Sequence, residues 1–263
     1  MSFELQHITK DYGRGASQTT ALAGVSFAAR GAEFVSIVGP SGCGKTTLLK
    51  IMGGLIEPTS GRIAFSAAAA SDELRPGKLR TSLVFQDHGL LPWYSVLENV
   101  ALGLRLQHVD AATASARARH FIVQVGLERF LHHHPHELSI GMRQRVGIAR
   151  AFVADPEILL LDEPFGSLDA QTKLVLQQEL LHIWQEHRKL VVHVTHDIEE
   201  AILLSDRIVV MSGRPGRIRE ELTVPFARPR HLDILGTPAA GEIRHRIWDI
   251  LEEEVRKSLW VPE

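Results

Sequence analysis

The stretch that decides the fold reads FVSIVGPSGCGKTTLLKIM, residues 34–52. Phe34 to Val38 form a short apolar run of strand character, and a helical pattern begins near Lys45. Between them Gly39, Pro40, Ser41, Gly42, Cys43, Gly44, Lys45, Thr46 and Thr47 fit G-x-x-x-x-G-K-[ST], between strand and helix as that pattern requires. Glycines let successive backbone N–H groups turn inward around phosphates, and the following helix N-terminus adds partial positive charge. The spacing predicts a nucleotide cradle in which Lys45 reaches the β and γ phosphates and the Thr46 hydroxyl ligates Mg²⁺. Cys43 reads as a small tolerated side chain, because phosphoryl transfer needs positioning and charge stabilisation rather than a thiolate. Alkylating it should block the cradle sterically, while Cys43→Ala should leave activity intact.

Further strand-like runs at Ile158–Leu161, Leu190–Val194 and Arg207–Met211 alternate with helical patterns, which predicts an α/β fold with a mostly parallel sheet. Ligands of such sheets bind beyond the carboxyl ends of strands, and there the chain places Asp162-Glu163-Pro164 and Thr195-His196-Asp197. Two adjacent carboxylates at a buried strand's tip need a cation, so Asp162 is placed to hold Mg²⁺ and Glu163 to orient or deprotonate an attacking water. From Leu90 to Ala154 the periodicity becomes helical, through Val96, Val100 and Leu104 and then Phe121, Ile122 and Val125. This is expected to be an inserted helical subdomain at 89–154, within a discontinuous core of 1–88 and 155–218. Residues 66–78 read as a surface loop, sheet character is expected to end after Pro215, and 219–263 form an extension. Its amphipathic helix, marked by Ile243, Ile247, Trp248, Leu251 and Val255, reads as a packing element.

At 263 residues the chain exceeds the usual domain size of about 100 to 150 residues, which suits a large α/β domain carrying an insertion. No apolar run approaches the ~20 residues that span a bilayer, and the polar start MSFELQHITKDYG lacks the pattern of a signal peptide, so a cytoplasmic chain is expected. A net charge of −2 with dispersed Lys and Arg gives no footprint for nucleic acid, and the single Cys43 permits no internal disulfide.

With the cradle and the acidic strand, the remaining motifs resemble those of ABC-type ATPases, in the family's order, over about residues 3 to 218. Tyr12 in KDYG resembles the aromatic that stacks on adenine, and Gln86 in VFQD the glutamine that senses Mg²⁺ and the γ-phosphate. LSIGM, Leu138 to Met142, resembles the family signature, SLD, Ser167 to Asp169, the loop that crosses the dimer interface, and His196 the switch histidine. The resemblance implies a P-loop NTPase fold of ABC type with an antiparallel β part and an inserted helical subdomain. It implies ATP and Mg²⁺ as ligands and catalytic roles for Glu163, His196, Lys45 and Gln86, with Thr46, Gln86 and Asp162 about the metal. It also implies two copies meeting head to tail, with each ATP between one cradle and the partner's Ser139 and Gly141, and Asp169 nearby. Ser139 reads at the same time as a helix N-cap.

Most family members carry Gly where this chain has Ile140. Positive φ there would cost a β-branched residue about 1 kcal/mol or more, so Ile140 is expected at negative φ, with the sandwich closing but hydrolysing more slowly than a Gly version. The histidines of LHHHPHE, 131–137, lack metal-binding spacing and read as a solvated loop, and His193 reads as a strand residue packed beside the site. Trp93 and Tyr94, following Gln86 in HGLLPWYSVLENV, suit either core packing or docking to a partner. LLPW-x-x-VLENV, PFGSLDA and THDIEEAILLSDRIVVMSGRPGRI resemble the nitrate/sulfonate/taurine branch of ABC importers. That branch implies a membrane permease as partner, an external solute-binding protein acting through it, and a peripheral place on the cytoplasmic face of the membrane. The alternatives are an ABC ATPase without a permease, of the DNA repair or translation class, and a slow ATP-binding regulator, which Ile140 would favour.

Overall fold

The computed structural model describes residues 2–66, 81–87 and 89–259, and the chain divides into two compact units, Met1–Leu79 with Leu190–Glu263 and Arg80–Lys189. The first unit opens with β1 (Ser2–Tyr12) and β2 (Thr19–Arg30), then β3 (Phe34–Val38), α1 (Lys45–Met52) and β4 (Ser60–Ser66). The second holds β5 (Thr81–Val84), α2 (Val96–Leu106), α3 (Ala111–Gln124), α4 (Ile140–Val153), β6 (Ile158–Asp162) and α5 (Ala170–His187). The chain returns to the first unit through β7 (Leu190–Thr195), α6 (Ile198–Leu204), β8 (Arg207–Met211), β9 (Ile218–Thr223) and α7 (Pro238–Leu259).

In the first unit β2, β1 and β4 form an antiparallel sheet whose buried face carries Phe3, Leu5 and Ile8. The step from 5 to 8 breaks strict alternation because His7, at φ 51°, lies in an irregularity of the pairing that restores Ile8 to the buried face. Gly61 faces this point, where a Cβ would lie 2.4 Å from the His7 carbonyl oxygen. The unit's second sheet has β3 between β7 and β8 in parallel. All five β3 residues are buried, as expected of a strand covered on both faces.

Two expectations need correction here. Sheet character does not end at Pro215, because β9 pairs antiparallel with β8 at the sheet edge. Its sequence IREELT alternates half-buried and exposed positions, but glutamates occupy both faces and dilute the apolar period that would reveal it. On α7, Ile247 is fully buried and packs with Ala201, Ile202 and Val210, with Ile243 and Leu251 alongside, as expected of a packing helix. Trp248, one residue and about 100° further round the helix, is 56% exposed and does not belong to that stripe. The side chain of Val255 and all but Ser66 of the 66–78 loop lie outside the described residues.

A buried cation closes the C-terminal end of α6. Arg230, 5% exposed, donates to the carbonyls of Ile202, Leu203 and Ser205, and burial holds its pKa down to about 10. Cations at helix C-termini satisfy the last carbonyls and oppose the helix dipole.

In the second unit, Val96, Val100 and Leu104 of α2 and Phe121 and Ile122 of α3 are buried, as the periodicity predicts. Ser95 caps α2 in a reciprocal box with Glu98, the S-x-x-E pattern visible in the sequence. No helix among the described residues is long and apolar enough to cross a membrane.

Candidate functional site

Residues 39–47 leave β3 as a tight turn and enter α1. Gly42 at φ 73° and Gly44 at φ 105° occupy backbone conformations that side chains resist, which is the physical reason for glycine there. Gly44 is also crowded, since a Cβ would lie 2.7 Å from Leu22 Cδ2 and 2.9 Å from the Ala21 carbonyl oxygen. Lys45, only 5% exposed, donates from Nζ to the carbonyls of Gly39 at 2.9 Å and Pro40 at 3.1 Å, drawing its charge into the concave side of the turn. Ser41 and Thr46 face solvent and Thr47 is half-buried.

Cys43 is fully buried, with Sγ 2.8 Å from where a Cβ on Gly39 would stand, so Gly39 is needed for contact rather than for φ. This corrects the expected alkylation, because a thiol packed beneath the turn is shielded from reagent. Tyr12, at the end of β1 and 44% exposed, brings its hydroxyl to 3.5 Å from Thr47 Oγ1, with Lys10 Nζ 5.4 Å from its ring centre. His196 is exposed directly after β7, and the parallel register pairs Val38 with Thr195. Gly39 and His196 thus leave neighbouring strands at the same level.

The same region contains residues that motif reading missed. Arg214 donates to the Gly42 carbonyl at 3.4 Å, and a Cβ on Gly216 would fall 2.1 Å from the Cys43 carbonyl oxygen. The turn after β8 therefore buttresses the cradle from about 170 residues away, and although SGRPGRI contributes to the family resemblance, nothing in its sequence signals that contact.

The second unit arranges the other predicted residues. β5 and β6 pair in parallel with Val84 opposite Leu161, so exposed Gln86 and half-buried Glu163 each stand two residues past the same level. Asp162 is the last residue of β6 and 6% exposed. Glu163 lies at φ 45°, a left-handed conformation costly for a non-glycine residue, which fixes the direction its side chain takes at the strand tip. Ser139 caps α4, accepting from the Met142 amide at 3.3 Å, and Asp169 caps α5, accepting from the Thr172 amide at 3.0 Å. Gly141 joins the two caps, because a Cβ there would press to 2.9 Å on Thr172 Cγ2. Ile140 is the first residue of α4, outside the positive-φ set and 44% exposed. Its side chain therefore enters the loop without backbone strain.

Trp93 is 68% exposed while Tyr94 beside it is half-buried. Their turn is held by fully buried Asn99, whose amide donates to the carbonyls of Leu91, Tyr94 and Ser95 and whose Oδ1 accepts from Leu91 N. His193 is buried within β7, as expected.

A strand-to-helix turn with left-handed glycines and a buried inward lysine fits a nucleotide's phosphates, and defines the class as a phosphate-cradle α/β NTPase. The chain belongs to the ABC transporter family, whose model matches residues 22–166, and is an ATPase of that family. It is 41% identical to the bicarbonate transport ATP-binding protein CmpD of Synechocystis over 94% of this chain and 88% of that one. It is 47% identical to the taurine import ATP-binding protein TauB of Burkholderia thailandensis, over 80% and 79% respectively. Identity to the nitrate import ATP-binding protein NrtD of Synechococcus elongatus is 42%, over 88% and 84%. Among solved structures, the ATP-binding cassette MJ0796, in a dimeric post-hydrolysis state bound to ADP and Pi, aligns with TM-score 0.74 and 35% identity, over 86% of this chain and all of that one.

Proposed function

We propose that this chain is the ATP-hydrolysing subunit of an importer, working as a head-to-tail pair of copies that drives a membrane permease from the cytoplasmic face of the membrane. The observation that carries this reading is the cradle itself: positive-φ glycines, Lys45 drawn into the turn and His196 leaving the adjacent strand at the same level. The solute is proposed to be of the nitrate/sulfonate/taurine class, supported by relatives named for taurine and nitrate. A solute-binding protein outside the membrane would supply specificity through the permease. Functionally, 1–88 and 155–218 act as the ATPase core, 89–154 as the helical subdomain and 219–263 as an extension.

Residue by residue, amides of Gly39 to Thr47 and the Lys45 ammonium hold the phosphates, and Tyr12 supports the base. Thr46, Asp162 and Gln86 would hold Mg²⁺, which neutralises charge on the phosphate oxygens when bound. Glu163 orients the attacking water and takes its proton, while His196 meets the γ-phosphate. Ser139 and Gly141 of one copy grip the other copy's γ-phosphate, with Asp169 at the same interface.

Glu163→Gln tests the scheme because it keeps shape and removes the base. Light scattering should show that variant as a stable dimer with Mg-ATP, and a variant that stays monomeric at saturating ATP contradicts the sandwich.

A further inference from the structure

We infer that His193 and Glu200 are positioning residues that hold the switch histidine His196, an inference that rests on the reading of His196 given above. The pair brackets His196 in the chain, three residues before it and four after. His193 Nε2 lies 2.8 Å from Glu200 Oε1, with side chains 0% and 2% exposed. The contact therefore closes the strand-to-helix turn that carries His196 from β7 into α6.

Two further links extend it. His193 Nδ1 lies 3.0 Å from the Oγ of Ser36, its register partner on β3, the strand that leads into the cradle. Within the turn, the Asp197 amide donates to Thr195 Oγ1 at 3.0 Å and the Glu200 amide to Asp197 Oδ1 at 3.1 Å. His196 itself is exposed, and its backbone is carried by this hydrogen-bonded turn.

Stability alone does not call for such a pair. A buried carboxylate is costly, and apolar residues of similar volume usually serve a core as well or better. The 2.8 Å approach of Nε2 to the carboxylate, with Nδ1 on Ser36, fixes the ring between β3 and α6 at set distances, which apolar packing does not. The cradle strand, the switch strand and α6 are thereby tied at one point, two residues before the ends of β3 and β7.

The test compares kcat, KM and thermal midpoint of the full chain with Mg-ATP in four variants. His193→Leu combined with Glu200→Leu should melt within about 4 °C of the parent. It should keep KM within about 2-fold while kcat falls about 10- to 100-fold, the scale of a misplacement near 1 Å. His193→Met, similar in volume but without the polar contacts, should lose kcat likewise, and His193→Gln, whose amide can still reach both Ser36 and Glu200, should stay within about 3-fold of the parent. Parent-like kcat in the double variant or in His193→Met overturns the inference, whichever of them folds. Should neither fold, His193→Gln decides: retained kcat supports the inference, and kcat lost at unchanged KM and midpoint overturns it. His196→Ala separates the readings. Unchanged turnover in that variant defeats both the switch role and the inference, whereas lost turnover there with full turnover in the double variant defeats the inference alone.

Discussion

Ile140 combines features that pull apart: it stands where the family resemblance implies a glycine, in the loop proposed to approach phosphate, yet it costs the backbone nothing. As the first residue of α4 it takes a conformation open to any L-residue, and its side chain stands 44% exposed beside Ser139. Under the proposed head-to-tail pairing, any obstacle it presents is steric and lies toward the partner's nucleotide. Ile140→Gly should raise turnover in the assembled complex and lower the free energy of unfolding by up to about 1 kcal/mol, as Gly does in a helix. A rate that is unchanged or lower contradicts the steric account. Ser139 was legible in the sequence as the cap of α4. The contact that makes Gly141 necessary was not, because Thr172 lies 31 residues further along the chain and only the packing of α4 on α5 brings them together.

The helices of this chain are set by their ends. Asp110 caps α3 by accepting from the Thr113 amide at 3.0 Å, and hydrogen bonds from the Thr113 side chain and backbone hold its carboxyl below the ordinary range. A depressed folded-state pKa contributes stability above the unfolded value, near 3.9, that is lost as pH falls through the folded value. Urea unfolding should therefore separate the parent from Asp110→Ala at pH 7, and the gap should narrow below about pH 4; a gap that holds at low pH contradicts the capping assignment. At the end of α6, Arg230→Met should cost about 1 to 3 kcal/mol by leaving buried carbonyls without their donor, read from the urea midpoint. A loss too small to measure would show that water replaces the guanidinium. The first cap follows a sequence rule, Asp ahead of a helical run. The second does not, since Arg230 lies 26 residues beyond the helix it closes.

At the scale of the whole molecule, Trp93 is a large aromatic left exposed among the described residues. Buried Asn99 holds its turn rigidly while the indole stands 68% exposed, and the chain has only four tryptophans with which to do so. Large exposed aromatics are enriched where partners dock. The chain should co-purify with a multi-span membrane protein, and Trp93→Ala should weaken that association while leaving ATP binding unchanged. A chain that never associates with a membrane protein turns the reading toward an ABC ATPase without a permease. Trp93 illustrates a limit of periodicity as well. Tyr94 and Trp93 are equally apolar in the sequence, yet one is half-buried and the other is out in solvent.

The sequence by itself determined the phosphate cradle, the strands at 34–38 and 207–211 and the polar residues following 158–161 and 190–194. Each of these rests on short-range rules: glycine where φ turns positive, lysine at a helix start, an apolar run for a strand covered on both faces. Only the tertiary structure decided what lies beneath and beside that chemistry. Gly216 and Arg214 against the cradle, Gly61 against the His7 irregularity, Arg230 on α6 and the Ser36–His193–Glu200 linkage each join distant segments. β9 escaped detection for a related reason, since an edge strand can satisfy its pairing without an apolar face. Backbone conformation and phosphate binding are local and leave a written pattern, whereas close packing and buried polar pairing depend on which surfaces the fold brings into contact.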